Sequence, residues 1–152
     1  MRQLGFTLIE LVVIMTIIGV LAVFASGRFA DENTFEARGY YDEMIVAARF
    51  AQRYAIASGC ETRFNIEADG GYSVTLANPC QSSAAGTPVQ RPDGADFSRP
   101  VPPGGVTVTS GAFSAIYDAH GDVSAGGTVS VSGGGAALSF DITAGSGFVN
   151  TP

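Results

Sequence analysis

Lysine and Trp are absent from this 152-residue chain, and His occurs once. Without Lys there is no Schiff-base chemistry and no phosphate-loop lysine. A single His excludes metal centres built on several imidazoles. All 8 Lys or Arg residues are Arg, set against 14 acidic ones for a net charge of −6, and the last fifty residues carry no Arg or Lys. A broad basic surface is therefore missing, and nucleic acid is not an expected partner. Charged residues are also scarce, at 14% against 46% hydrophobic, a balance that disfavours disorder. The length suits one modest core.

The apolar residues are unevenly spread. From Phe6 to Ala25 the chain reads FTLIELVVIMTIIGVLAVFA, with Glu10 as its one charge. A helix of that length matches the roughly 30 Å hydrocarbon thickness of a bilayer. Arg2 and the amino terminus precede it, so the amino end is expected to stay cytoplasmic. A secretory signal peptide is the plainer alternative, with Val23-Phe24-Ala25 as its cleavage site. It gives no role to Glu10, and an ionised carboxylate inside a membrane costs about 2.5–3.5 kcal/mol on the lenient scale. A cut between Gly5 and Phe6 would create an α-amino group four residues before Glu10. That amine is a natural partner for Glu10 of the same chain or of a packed neighbour.

Gly5-Phe6-Thr7-Leu8-Ile9-Glu10-Leu11 resembles the prepilin signature of type IV pilins and type II secretion pseudopilins. The resemblance implies a leader cut after Gly5 by a prepilin peptidase, N-methylation of Phe6, and Glu10 setting register during filament assembly. Where many members carry a late Pro in the membrane helix, this chain has Ser26-Gly27.

Beyond the membrane segment, Ala37, Tyr41, Met44, Ala48, Ala51 and Ala55 follow alternating steps of four and three, the stripe of an amphipathic helix. Arg38, Asp42, Arg49 and Arg53 fall on the other side. Gly59 is the expected C-terminal cap, and Gly39 a possible local irregularity. Acidic residues 31, 32 and 36 precede the cationic Arg49 and Arg53. A solvated face is the plain reading; pairing between staggered filament neighbours is the sharper one.

After Gly59 the period becomes alternating. Residues 60–68 and 72–76 flank Asp69-Gly70-Gly71, a hairpin signal. Centring the turn on Gly70 pairs Ala68 with Tyr72, Ile66 with Val74 and Phe64 with Leu76, and sets Cys60 opposite Cys80. Both cysteines would lie in an oxidising compartment, so a Cys60–Cys80 disulfide is expected. Residues 78–105, rich in Pro, Ser, Gly and Ala, read as a long surface loop. Short strands are expected at 106–109, 112–117, 128–131, 137–142 and 147–149, with Leu138, Phe140 and Ile142 facing the core.

This second half resembles the GspH/FimT-like branch of minor pilins and minor pseudopilins, through Ile116-Tyr117-Asp118-Ala119-His120-Gly121-Asp122 and the closing Ile142-x-x-x-Gly145 pattern. Tyr41 to Tyr72 looks most like the minor pilin of mannose-sensitive haemagglutinin pili. His120 between Asp118 and Asp122 reads as a solvated turn rather than an acid–base or metal site. Asp118, Asp122 and Asp141 carry oxygens of the kind calcium takes, without diagnostic spacing. No cofactor, metal or catalytic residue is expected.

The expected fold is α+β and pilin-like: a leader at 1–5, a long helix over 6–58 whose span covers about 6–27, and a β-rich periplasmic head over 59–152. The implied function is that of a minor pilin anchored once in the inner membrane and then built into a pilus-like filament. The expected partners are other pilin or pseudopilin subunits, the prepilin peptidase, the inner-membrane assembly platform and lipid. The alternatives are a minor pseudopilin of a type II secretion system and a secreted binding module with an ordinary signal peptide.

Overall fold

The computed structural model describes residues 7–26 and 32–152. Two compact units divide the chain, Met1–Glu32 and Asn33–Pro152. In the first, helix α1 runs Leu8–Ser26. Its large apolar side chains are exposed all round the helix, as far as they are described. Such a surface requires lipid or other apolar helices around it. Thr16 neutralises its own hydroxyl by donating to the Val13 carbonyl at 2.8 Å. Among the described residues no helix is long and apolar enough to cross a membrane. The expected span of about 6–27 also takes in Phe6 and Gly27, which lie outside the described residues, as does the leader.

In the second unit, helix α2 spans Glu32–Ser58 and passes Gly39 without interruption. It stops where expected: Gly59 takes φ +69° and its N–H bonds the Ala55 carbonyl at 2.9 Å. The buried stripe is Ala37, Tyr40, Met44, Ile45, Ala47, Ala48, Ala51 and Ala55. Tyr40 takes the core position expected for Tyr41. Its ring is buried and its hydroxyl donates to the Gly70 carbonyl at 2.7 Å, whereas Tyr41 lies at the rim and donates to Ser139.

Among the described residues eight strands form two four-stranded sheets. The strands are β1 Thr62–Ile66, β2 Tyr72–Leu76, β3 Ser98–Arg99, β4 Val106–Val108, β5 Phe113–Tyr117, β6 Gly127–Gly133, β7 Ala136–Ile142 and β8 Val149–Asn150. The sheet orders are β3-β2-β1-β5 and β4-β6-β7-β8, and every pairing is antiparallel. Phe64, Ile66, Tyr72 and Val74 of one sheet and Val129, Val131, Phe140 and Ile142 of the other enter one core with the α2 stripe. Leu138 is only half-buried.

The first hairpin corrects the expected register. Ile66 pairs with Tyr72, Phe64 with Val74 and Thr62 with Leu76. The turn centres on Asp69 rather than Gly70. Gly70 N–H reaches the Glu67 carbonyl at 3.0 Å and adopts φ +88°, while Asp69 Oδ1 accepts from Gly71 N–H at 3.1 Å. A type I turn from Glu67, closed by the left-handed Gly70, makes Ala68, Asp69 and Gly70 the three loop residues in place of 69–71, and so moves every partner by two positions. Two is the side-chain period of a strand, so the core-facing set survives the shift.

The stretch 78–105 is a loop only in part. β3 pairs with β2, Gln90 bridges to Asp96, and Val89 and Phe97 are buried. Phe97 stacks on Phe50 of α2 with ring centroids 4.7 Å apart. Those apolar contacts and the backbone bonds of Val74 with Val89 and Phe97 hold the segment on the head.

Candidate assembly site

Glu10 opens the first turn of α1. The Thr7 hydroxyl lies 3.4 Å from the Glu10 N–H, and the Glu10 carboxylate lies 3.5 Å from the Thr7 N–H and 3.4 Å from the Thr7 hydroxyl. Thr7-x-x-Glu10 is thus a capping box, which places the carboxylate at the positive end of the helix dipole. Thr7 is the capping partner that reading by charge alone missed; the Thr-x-x-Glu spacing was the available signal. These contacts are long for hydrogen bonds, so the carboxylate keeps capacity for a stronger donor. Gly5 and Phe6, the expected cleavage and methylation positions, lie outside the described residues.

In the head, the Cys60 and Cys80 sulfurs are bonded, with Cα atoms 5.7 Å apart. Under the observed register the ladder ends at Leu76. Ala77 N–H still reaches the Glu61 carbonyl at 2.8 Å, and the chain then bends to bring Cys80 back.

Tight contacts seat the start of α2 on the second sheet. Thr34 donates its hydroxyl to the Gly134 carbonyl at 2.8 Å. Gly134 and Gly135 have φ of +57° and +85° in the two-residue β6–β7 turn, and a Cβ on Gly134 would stand 2.4 Å from the Thr34 nitrogen. At the other end, Gln52 donates to the carbonyls of Gly121 at 2.9 Å and Ser146 at 3.0 Å. The face of α2 turned away from the sheets carries Arg38, Asp42, Arg49 and Arg53, all exposed.

The Asp118–Asp122 segment is a turn. Asp118 Oδ1 accepts from the backbone N–H groups of His120 at 2.8 Å and Asp122 at 3.0 Å. Those bonds, that from Asp122 first, hold the Asp118 carboxyl below its usual range. The His120 ring is solvated, with Nδ1 3.8 Å from the Asp118 carboxylate. Among the described residues no three His, Cys, Asp or Glu side chains converge to hold a metal ion. Asp118 and Asp122 share this turn, whereas Asp141 sits in β7 and bonds Thr128.

Residues 1–26 match the prokaryotic N-terminal methylation motif. Residues 42–147 match the family described as type II transport protein GspH, which is more than half of the chain. The chain belongs to the GspH family. The crystal structure of the type IV minor pilin FimU from Pseudomonas aeruginosa strain PAO1 is similar to this GspH-family chain with a TM-score of 0.56 at 11% identity, over 78% of this chain and 90% of that one. At that identity the likeness is one of fold. A methylation motif ahead of a GspH head is the organisation of a pilin-like minor subunit, and both a type IV minor pilin and a type II pseudopilin fit it.

Proposed function

We propose that this GspH-family chain is a minor pilin that takes part in assembling or initiating a type IV pilus-like filament. A prepilin peptidase cuts after Gly5 and the new amino terminus on Phe6 is methylated. The mature chain waits as a single-pass protein of the inner membrane, amino end cytoplasmic and head periplasmic. It then leaves lipid for the apolar helical core of the filament. The observation that carries this reading is the joining of the methylation motif to the head: an all-round apolar helix begins at a carboxylate with spare hydrogen-bonding capacity. In the filament Glu10 receives the amine of a neighbour, which replaces two long contacts with a charge-assisted one. Moving the helix from lipid to other apolar helices exchanges one apolar surrounding for another, so transfer requires no large unfavourable step.

The second reading, a minor pseudopilin of a type II secretion system, is favoured by the description of the matched family. Deletion in the native host separates the two. Loss of surface pili with normal secretion supports the pilus; intact pili with a secretion defect supports the secretion system. Glu10→Gln in the same strain is expected to leave the leader cut and to stop incorporation. Normal incorporation of that variant would overturn the role given to Glu10.

A further inference from the structure

One interior position of α2 is not accounted for by the fold. Gly39 lies in an unbroken helix, where glycine is less stable than alanine. It is not among the left-handed glycines, and a Cβ there would meet nothing within 4 Å. Neither its backbone conformation nor packing within the chain calls for glycine. Gly121 and Gly134, by contrast, are both left-handed and closely approached. What Gly39 does border is a cavity of about 290 Å³ between α2 and the hairpin of residues 89–97.

Gly39, Asp42, Glu43 and Val46 share one side of the helix and form one wall of this cavity. Tyr72, Phe97 and Arg91 supply the rest of the lining. The aromatic part is fixed in place. Phe97 stacks on Phe50, and the Arg91 guanidinium lies 4.9 Å from the Phe97 centroid. Glu43 is held by Arg99 at 2.8 Å. Other groups of the lining lack partners. Val46 is 56% exposed, and the buried Arg91 Nε has no acceptor. Among the described residues the ion pairs are Arg99–Glu43 and His120–Asp118, so Asp42 meets no cation. Pockets for drug-sized molecules run from about 300 to 1,000 Å³, so this cavity suits a single large side chain. A polypeptide segment with a basic residue beside a large apolar one brings everything the lining lacks: apolar surface for Val46, a carbonyl for Arg91 and a cation for Asp42. The net charge of −6 favours a basic partner and disfavours a second acidic copy.

We propose that the cavity bordered by Gly39, Val46 and Phe97 receives one large apolar side chain of a different, net-basic subunit of the same filament, while Asp42 meets the basic residue beside it. Gly39 leaves the entrance clear at a cost in helix stability. The contact joins unlike subunits and so selects which one stands next to this chain. This inference rests on the reading of the chain as a filament subunit.

The test puts a small photoreactive diazirine amino acid at Val46 of the full-length chain, expressed in its native host with the filament's other subunits. Light is expected to join it to one of those subunits, at a segment with Lys or Arg beside a large apolar residue. Gly39→Met, whose side chain fills the cavity, is expected to lower that adduct about tenfold. Asp42→Arg is expected to lower it about threefold. Gly39→Ala, too small to fill the cavity, should keep the adduct and raise the Tm of the head by about 3–5 °C. An intact Cys60–Cys80 bond in each variant reports that the head has folded. Asp42→Arg, at an exposed position, carries the test if Gly39→Met has not. The proposal is overturned by absence of the adduct in folded, leader-trimmed chains, or by indifference to both Gly39→Met and Asp42→Arg. A lower Tm in Gly39→Ala, or adducts only with lipid or a second copy of this chain, overturns it as well. A chain whose leader is not trimmed at Gly5 removes the underlying reading, and the proposal with it; a trimmed chain without the adduct removes the proposal alone.

Discussion

Removing the Cys60–Cys80 bond is expected to weaken the head in a calculable way. The bond closes a loop with a sequence separation of 20. In the chain-entropy description, opening a loop of that length stabilises the unfolded state by about 3 kcal/mol. Small domains have only about 5–15 kcal/mol in total, so the loss is a large fraction. For a body of this size it corresponds to a fall in Tm of roughly 10–15 °C. The native geometry that remains is well anchored: Ala77 N–H still meets Glu61, and β1 keeps β2 and β5 on its two sides. The double variant Cys60→Ser, Cys80→Ser should therefore fold and simply unfold earlier. The full chain in detergent, unfolded with urea and followed by tyrosine fluorescence, is the suitable assay because Trp is absent. A loss below about 1 kcal/mol would refute the reasoning, since it would mean that the unfolded chain already holds this hairpin closed.

Two tyrosines give a contrasting pair. Tyr40→Phe is expected to cost about 1–2 kcal/mol, because the Gly70 carbonyl loses its donor, whereas Tyr117→Phe removes a buried hydroxyl that has no partner and is expected to be neutral or stabilising in the same urea titration. Gly134→Ala puts a Cβ against Thr34 at positive φ and should destabilise by about 1–3 kcal/mol, with early amide exchange at the start of α2 as the readout. Burial, and then the neighbouring Tyr72, push the Tyr40 hydroxyl up to about 12, and burial pushes that of Tyr117 up as well. Both favour the neutral form in the folded state. Their contribution is thus complete below pH 10, the ordinary tyrosine value, and is lost as pH rises through the folded values. Thermal melts between pH 9 and 12 should show Tm falling, and the fall should be shallower in Tyr117→Phe.

The parts of the fold that were legible in the sequence are those with a single dominant cause. The β5 and β7 boundaries follow within one residue from alternating apolar residues between glycines, and the end of α2 from Gly59, whereas β6 runs past its expected 128–131 at both ends. The hairpin register was missed by two positions because Asp69 and Gly70 select a turn type that alternation alone does not encode. Tyr40 and Tyr41 both carry the chemistry of a core aromatic, and only the path of the Gly70 turn decides which one enters. The Pro- and Ser-rich composition of 78–105 hid Val89 and Phe97, whose burial depends on Phe50 of a distant helix. At the amino end, the isolated acid in an apolar run was conspicuous, while its capping partner Thr7 was overlooked because a hydroxyl adds no charge.

The mass of the mature amino-terminal peptide, isolated from the host membrane, is the deciding measurement. A peptide that begins at Phe6 with one added methyl group is the expected result. A peptide that begins at Ser26, or one that retains Met1 to Gly5, would contradict the assignment of this chain as a processed filament subunit.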